Sequence, residues 1–216
     1  LLFIVASLVA FNLAARGAGR ELASLTIHAE ATDATLSNAS GTLATADLGA
    51  ELSLTAAPMS PGWGGSLNVT RTAGQLYLEP IFLNLTDRPV TAEARWQWRE
   101  EGKVQLSQLT YTQPGVVEAV GNLSLSLTPS VAPLRAELAL TGDGGAYALY
   151  MRPWWFGTPA ETLTMSGPVS GRVELVDGTL QRIQFVPTGL NIADTAGRVE
   201  AADLAGQVSW SADGAA

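Results

Sequence analysis

GNLSLSLT, residues 121–128, places Leu123, Leu125 and Leu127 on one side of an extended chain and Asn122, Ser124 and Ser126 on the other. A period of two, with one apolar and one polar side, is the pattern of a half-buried strand. It returns in AELALT (136–141) through Leu138 and Leu140. In RVELVDGTLQ (172–181), Val173 and Leu175 precede an Asp-Gly pair, a strong signal for a two-residue hairpin turn. RWQWREEGKVQL (95–106) makes a similar return through Glu101-Gly102, and its Trp96 and Trp98 share one strand face, where they read as core. After residue 22 no stretch offers a clean amphipathic helix. The body reads as all-β and mostly antiparallel, with short loops marked by Gly, Pro and Asp.

Composition narrows the function classes. The 216 residues are only 15% charged and include 22 glycines and 11 prolines, too apolar for a disordered chain and too rich in turn formers for a helix bundle. The net charge of −8 offers no basic stripe for a nucleic acid. There is no cysteine, which removes disulfides and thiolate metal sites. His28, the single histidine, lies in the alternating run LTIHAEA and reads as a strand residue facing water rather than as the centre of a catalytic triad.

The first fifteen residues, LLFIVASLVAFNLAA, carry no charge. They read as the tail of a longer apolar segment, either a membrane anchor or the hydrophobic part of a signal peptide. Residues 1–22 are therefore expected to be an N-terminal helix and residues 23–216 the β region.

That region repeats itself. GTLATADLGAELSLTA (41–56) and GRVEAADLAGQVSWSA (197–212) match at Gly, Ala, Asp, Leu, Ser and Ala, and Leu52/Val208 and Leu54/Trp210 are apolar in both. A further copy starts at Gly121, and LYLEP (76–80) is echoed by LYMRP (149–153). Units starting near 41, 121 and 197 are too long for a one-strand repeat, so each holds several strands. The third is still under way at the last residue, which reads as a piece cut at both ends. Asp47 and Asp203 hold equal places in the repeat and read as turn residues bonding their own backbone. Asp143, Asp177 and Asp213 each stand beside a glycine and read the same way; no loop gathers the oxygens of a calcium site. The Asn-x-Ser/Thr strings at Asn38, Asn68, Asn84 and Asn122 would be glycosylation candidates in a eukaryotic secreted chain, but chance matches are expected in a composition this rich in Ser and Thr.

The leucine row needs a cover. A second sheet, a curling of the sheet on itself, or a bound apolar ligand would each supply one. Val208 and Trp210 are expected on the same apolar side.

ASGTLATADLGAELSL, DGGAYALYMRP, SGPVSGRVELVDGTLQRIQF and IADTAGRVEAADLAGQVSW together resemble the AsmA-like superfamily of bacterial envelope proteins (AsmA, TamB, YdbH), with the YdbH-like branch nearest. The resemblance is one of texture and order over most of residues 30–212. It implies a single inner-membrane helix, a periplasmic β region and a long curled sheet whose apolar inside conducts phospholipid. It also implies an outer-membrane or envelope protein as a further partner. The expectation is an elongated, mostly antiparallel repeated β-sheet curled into an open apolar groove, after an N-terminal anchor or signal helix. Phospholipid acyl chains would lie on Leu123, Leu125, Leu127, Leu138, Leu140, Val173, Leu175, Val208 and Trp210, without catalytic residues, metal or cofactor. The rival reading is a structural or adhesion-type β-sandwich array working through protein contacts. A carbohydrate hydrolase would need a carboxylate pair that nothing in the chain recommends.

RPWWFGTP (152–159) interrupts the alternation with Trp154, Trp155 and Phe156 in a row. It reads as an aromatic lip on the groove or a contact with lipid headgroups, where tryptophan is favoured. Core packing where a strand turns is the commoner use of such rings and the preferred reading. PMSPGWGGS (58–66) reads as a connecting loop with Trp63 as its packing anchor.

Overall fold

Alternation becomes backbone pairing on a large scale. The computed structural model describes residues 2–5, 8–18, 21–60, 62–99, 102–127 and 132–212. Within them a single 15-stranded sheet forms, and each strand pairing is antiparallel. The strands are β1 (Leu2–Val5), β2 (Leu8–Ala18), β3 (Glu21–Asn38), β4 (Leu43–Pro58), β5 (Trp63–Leu78), β6 (Ile81–Asn84), β7 (Thr91–Arg99) and β8 (Lys103–Gln113). They continue with β9 (Val117–Ser126), β10 (Ala132–Asp143), β11 (Leu163–Ser166), β12 (Pro168–Val176), β13 (Thr179–Asp194), β14 (Glu200–Ala205) and β15 (Val208–Ser211). The order across the sheet is β1-β3-β4-β5-β7-β8-β9-β10-β12-β13-β11, with β2 also on β3, β6 on β5, and β14 and β15 on β13. Neighbours in sequence are mostly neighbours in space, as short hairpin connections require.

Asp177-Gly178 closes the β12–β13 hairpin with both φ angles positive (51° and 72°), the geometry that favours this dipeptide between twisted strands. At the same end of the sheet Arg99 pairs with Lys103, with Gly102 at φ 70°; Glu101 lies outside the described residues. Trp63 opens β5 opposite Trp98 rather than sitting in a loop.

Asp33, Asp47 and Asp203 also have positive φ, but inside β3, β4 and β14, where each lies at or beside a register shift. They act as left-handed bulge residues, which Asp tolerates better than most side chains. The backbone role expected of Asp47 and Asp203 is therefore served within strands rather than at strand ends. Gly41 and Gly197 each close a turn by bonding back three residues, to Asn38 and Asp194. Gly121 instead lies inside β9.

The N-terminal segment differs from expectation. Residues 2–5 and 8–18 are strands, with β1 and β2 in one common register along the 18-residue β3. An uncharged run of this length suits helix or strand equally by composition, and the long edge of β3 supplies the backbone partners that decide it. Among the described residues no helix is long and apolar enough to cross a membrane, so the single-pass inner-membrane anchor inferred from this run is withdrawn. That finding bears on helices and leaves strand-built membrane proteins aside.

Between β10 and β11 the chain leaves the sheet. It forms a π-helical turn, Tyr147–Met151, and two 3-10 turns, Arg152–Trp155 and Pro159–Thr162. This crossover touches β6 and β11 and covers one end of the sheet. The most buried large side chains gather at that end: Leu83, Leu85, Val116 and Leu190, with Gln113 among them. Elsewhere the extensive strand-to-strand contacts fall on sheet neighbours, and among the described residues no second sheet lies over the first.

Candidate functional site

Directly opposed residues of antiparallel strands share a face, so the register assigns every side chain to one side of the sheet. One row runs Trp96–Leu106–Leu123–Ala136–Leu175 across β7, β8, β9, β10 and β12. A second runs Leu138–Val173–Ile183–Trp210 across β10, β12, β13 and β15. Leu140 lies opposite Gly171, which faces Phe185, which faces Val208. Leu125 continues through Val104, Trp98 and Trp63. Beyond β5 the face goes on through Leu67, Leu54, Ile27 and Leu13.

Leu123, Leu125, Leu138, Leu140, Val173, Leu175, Val208 and Trp210 thus occupy one continuous surface. Leu127 lies just past the end of β9, its N–H donating to the Gly102 carbonyl at 2.8 Å. The other face is polar: Gln97, Gln105, Ser124 and Arg135 form one row, and Asn122, Glu137, Glu174, Arg182 and Ser211 another. His28 lies on this side, with Nδ1 at 3.0 Å from Ser53 Oγ and Nε2 at 3.4 Å from Glu51.

The apolar face is uncovered. Phe185 is 37% exposed, Trp98 45%, Trp210 49% and Val208 67%; between them Leu123, Leu125, Leu138, Leu140, Val173 and Leu175 are part-exposed, and the small Ala136 among them is buried. Glycines along it admit large neighbours. Trp96 lies opposite Gly65, and its Nε1–H reaches past that strand to donate to the Thr55 carbonyl of β4 at 3.0 Å. A Cβ on Gly65 would stand 1.9 Å from that same carbonyl oxygen. The indole therefore lies flat along the sheet and adds to its apolar floor. At about 4.8 Å per strand, the face from β3 to β15 is about 40 Å wide.

The crossover closes one end of this face with a polar lock. Tyr111, in the apolar register of β8, has its hydroxyl 2.6 Å from that of Tyr150. The Tyr150 hydroxyl in turn donates to Gln113 Oε1 at 2.7 Å, and Gln113 Nε2 donates to the Arg88 carbonyl at 3.0 Å. Burial raises both tyrosines' pKa values, most strongly that of Tyr150, where the bond to Tyr111 adds to it. Sequence reading passed over this network. Its signal was Gln113, a polar residue two positions after Tyr111 in an apolar register.

A second anchor lies at the end of β13. The nearly inaccessible Asp194 carboxylate pairs with Arg198 and accepts from Ala196 N–H at 3.0 Å, while Arg198 Nη2 donates to Thr162 Oγ1 at 2.8 Å. The Arg198 bond, foremost, holds the Asp194 pKa far below the usual carboxylate range. Asp143 accepts from the N–H groups of Gly145 and Gly167 at 2.8 and 3.1 Å. Asp213 lies outside the described residues. Among those described, no three His, Asp or Glu side chains converge as a metal site.

Trp154, Trp155 and Phe156 do not plug a core. They are 64%, 43% and 81% exposed at the tip of the crossover, beside Met151 at 46%. The 3-10 turn ends at Phe156, whose extended backbone (φ −52°, ψ 133°) carries the chain on to Gly157 at φ 75°. No family model, no curated protein and no solved structure matches the chain.

Proposed function

We propose that the continuous apolar face is the floor of a lipid-binding groove that holds acyl chains by shape and apolar burial. The observation that carries this reading is the division of one sheet into an unbroken apolar side, left half-exposed from β3 to β15, and a polar side. Soluble monomers rarely expose so large an apolar patch unless it binds something. Each methylene removed from water contributes about 0.8 kcal/mol, so an acyl chain covered on one side is held by several kcal/mol without a charged contact. One chain reaches about 15 Å, half the hydrocarbon thickness of a bilayer. The face is wider than that, and its successive rows are chemically alike, which favours sliding. Curling of the sheet around the chain would complete the groove. With the likeness to AsmA-like envelope proteins, this supports a part in phospholipid transport or outer-membrane upkeep in a bacterium.

Native mass spectrometry of the purified protein, with extraction of co-purifying lipid, tests the reading. The expected result is a lipid-bound species and binding of an environment-sensitive fatty-acid probe that Leu138→Glu reduces at least tenfold. A lipid-free protein indifferent to the probe sinks the idea. A lipid-free dimer joined through this face would favour the structural-array reading instead.

A further inference from the structure

We infer that the tip of the crossover, Met151 with Trp154, Trp155 and Phe156, is a membrane-docking element that inserts into the interface of a phospholipid bilayer. This goes beyond acyl-chain binding and stands on separate observations.

The first is rigid exposure. The most exposed ring of the whole described chain among large apolar side chains, Phe156 at 81%, sits beside Trp154 at 64%. The backbone on either side of Phe156 is tied down by hydrogen bonds. Thr158 donates from both N–H and Oγ1 to the Trp155 carbonyl at 2.9 and 2.7 Å. Gly157 N–H donates to Glu161 Oε2 at 2.8 Å, and the Tyr147 hydroxyl donates to the Ala160 carbonyl at 2.6 Å. Tyr150 ties the same segment to Gln113 of the sheet. Rings held out by such a platform need little further ordering when they insert.

The second is chemistry. Tryptophan favours the headgroup level of a bilayer, where its ring meets apolar and polar surroundings at once. Exposed Arg152 stands at the base of the tip to meet a phosphate, while the neighbouring Glu161 carboxylate is turned to the loop's own Gly157. The third is size. A fully buried aromatic contributes about 200 Å², so four partly exposed side chains fall well short of the about 800 Å² per partner of a stable protein complex. A tip of this size suits insertion between lipids. The net charge of −8 disfavours electrostatic capture by an anionic surface, so apolar insertion must supply the attraction.

The test uses the full chain with phosphatidylcholine vesicles, some carrying brominated acyl chains. Wild type should sediment with the vesicles at high salt, its tryptophan emission quenched by bromine. The double variant W154S/F156S should partition about 100-fold more weakly yet bind the fatty-acid probe like wild type. Leu138→Glu should do the reverse, keeping vesicle binding while losing the probe, so the two readings fail separately. Wild type that stays in the supernatant, or a double variant that sediments equally well, overturns the proposal. So do binding confined to anionic phosphatidylglycerol vesicles and abolished by salt, or loss of vesicle binding in Leu138→Glu. A double variant that alters only a monomer–dimer balance would mark the tip as a self-association contact and overturn it too.

Discussion

The two ends of the same strands live in different surroundings. Beneath the crossover, Leu190 is 1% exposed, Gln113 1% and Val116 3%. Further along, Ile183 of that same β13 is 37% exposed and Trp210 opposite it 49%. Both ends present large apolar side chains to the same kind of backbone. The covered end is a small core in which each group has a partner. The open end is apolar surface maintained without one. Stability should therefore concentrate at the first and binding at the second, and substitutions should separate the two.

Leu190→Ala is expected to have the largest effect. Its Cδ1 lies so near Gly144 that a Cβ there would stand 2.8 Å away, leaving no slack to refill the space. Loss of such a side chain costs about 2–5 kcal/mol, which for a chain of this size lowers Tm by about 2–4 °C per kcal/mol. Leu138→Ala on the open face should cost only about 1 kcal/mol, because its side chain already meets solvent. Equal losses in thermal unfolding would break the comparison by showing that the open face is packed in solution.

Tyr150→Phe comes next. The ring stays, but Gln113 Oε1 loses its donor and the Tyr111 hydroxyl its partner, both in part-buried surroundings. About 1–3 kcal/mol should follow. Calorimetry should register it while fatty-acid probe binding stays at the wild-type level. A fall in probe affinity would instead place this lock inside the binding surface.

Most of the open end was legible because alternation is a local signal. Leu123, Leu138, Val173 and Trp210 could be assigned to one side from spacing alone, and Asp177-Gly178 closes its hairpin as such a pair should. Even the slip in β8, where apolar positions run 104, 106, 109, 111, is visible in the residues and coincides with Gln108 at φ 51°. The covered end was not legible, since its bonds join residues 37 and 39 positions apart. LYLEP and LYMRP show why likeness of words misleads. The first ends β5 and turns through Glu79-Pro80, whereas the second lies in the π turn and enters a 3-10 turn. Tertiary partners, chiefly the Tyr150–Gln113 bond, accompany the second outcome, and no five-residue string encodes them. Likewise the uncharged run of the first fifteen residues carries no period that separates helix from strand, and pairing along β3 decides it.

Through Asp194, acid should loosen the covered end, with the smallest effect of the series. The Asp194 carboxylate is stabilised in the folded state by Arg198, by the Ala196 N–H and by Thr162, so its folded pKa lies below the unfolded value of 3.8. A depressed folded pKa contributes stability that is fully present above the unfolded value and is lost as pH falls below it. Asp194→Asn should therefore lower Tm by a few degrees at neutral pH, and the gap from wild type should close as pH drops below about 4. General protonation of the other carboxylates acts on both proteins and cancels in the difference. Hydrogen exchange, corrected for intrinsic rates, should locate the loss in β11, β14 and the crossover, which meet at the Asp194–Arg198–Thr162 cluster. A gap that persists at low pH would mean that Asp194 stabilises through its shape and backbone bonds rather than its charge. The β9–β10–β12 face offers only aliphatic side chains on its apolar side, so it holds no group there whose protonation could loosen it with the rest.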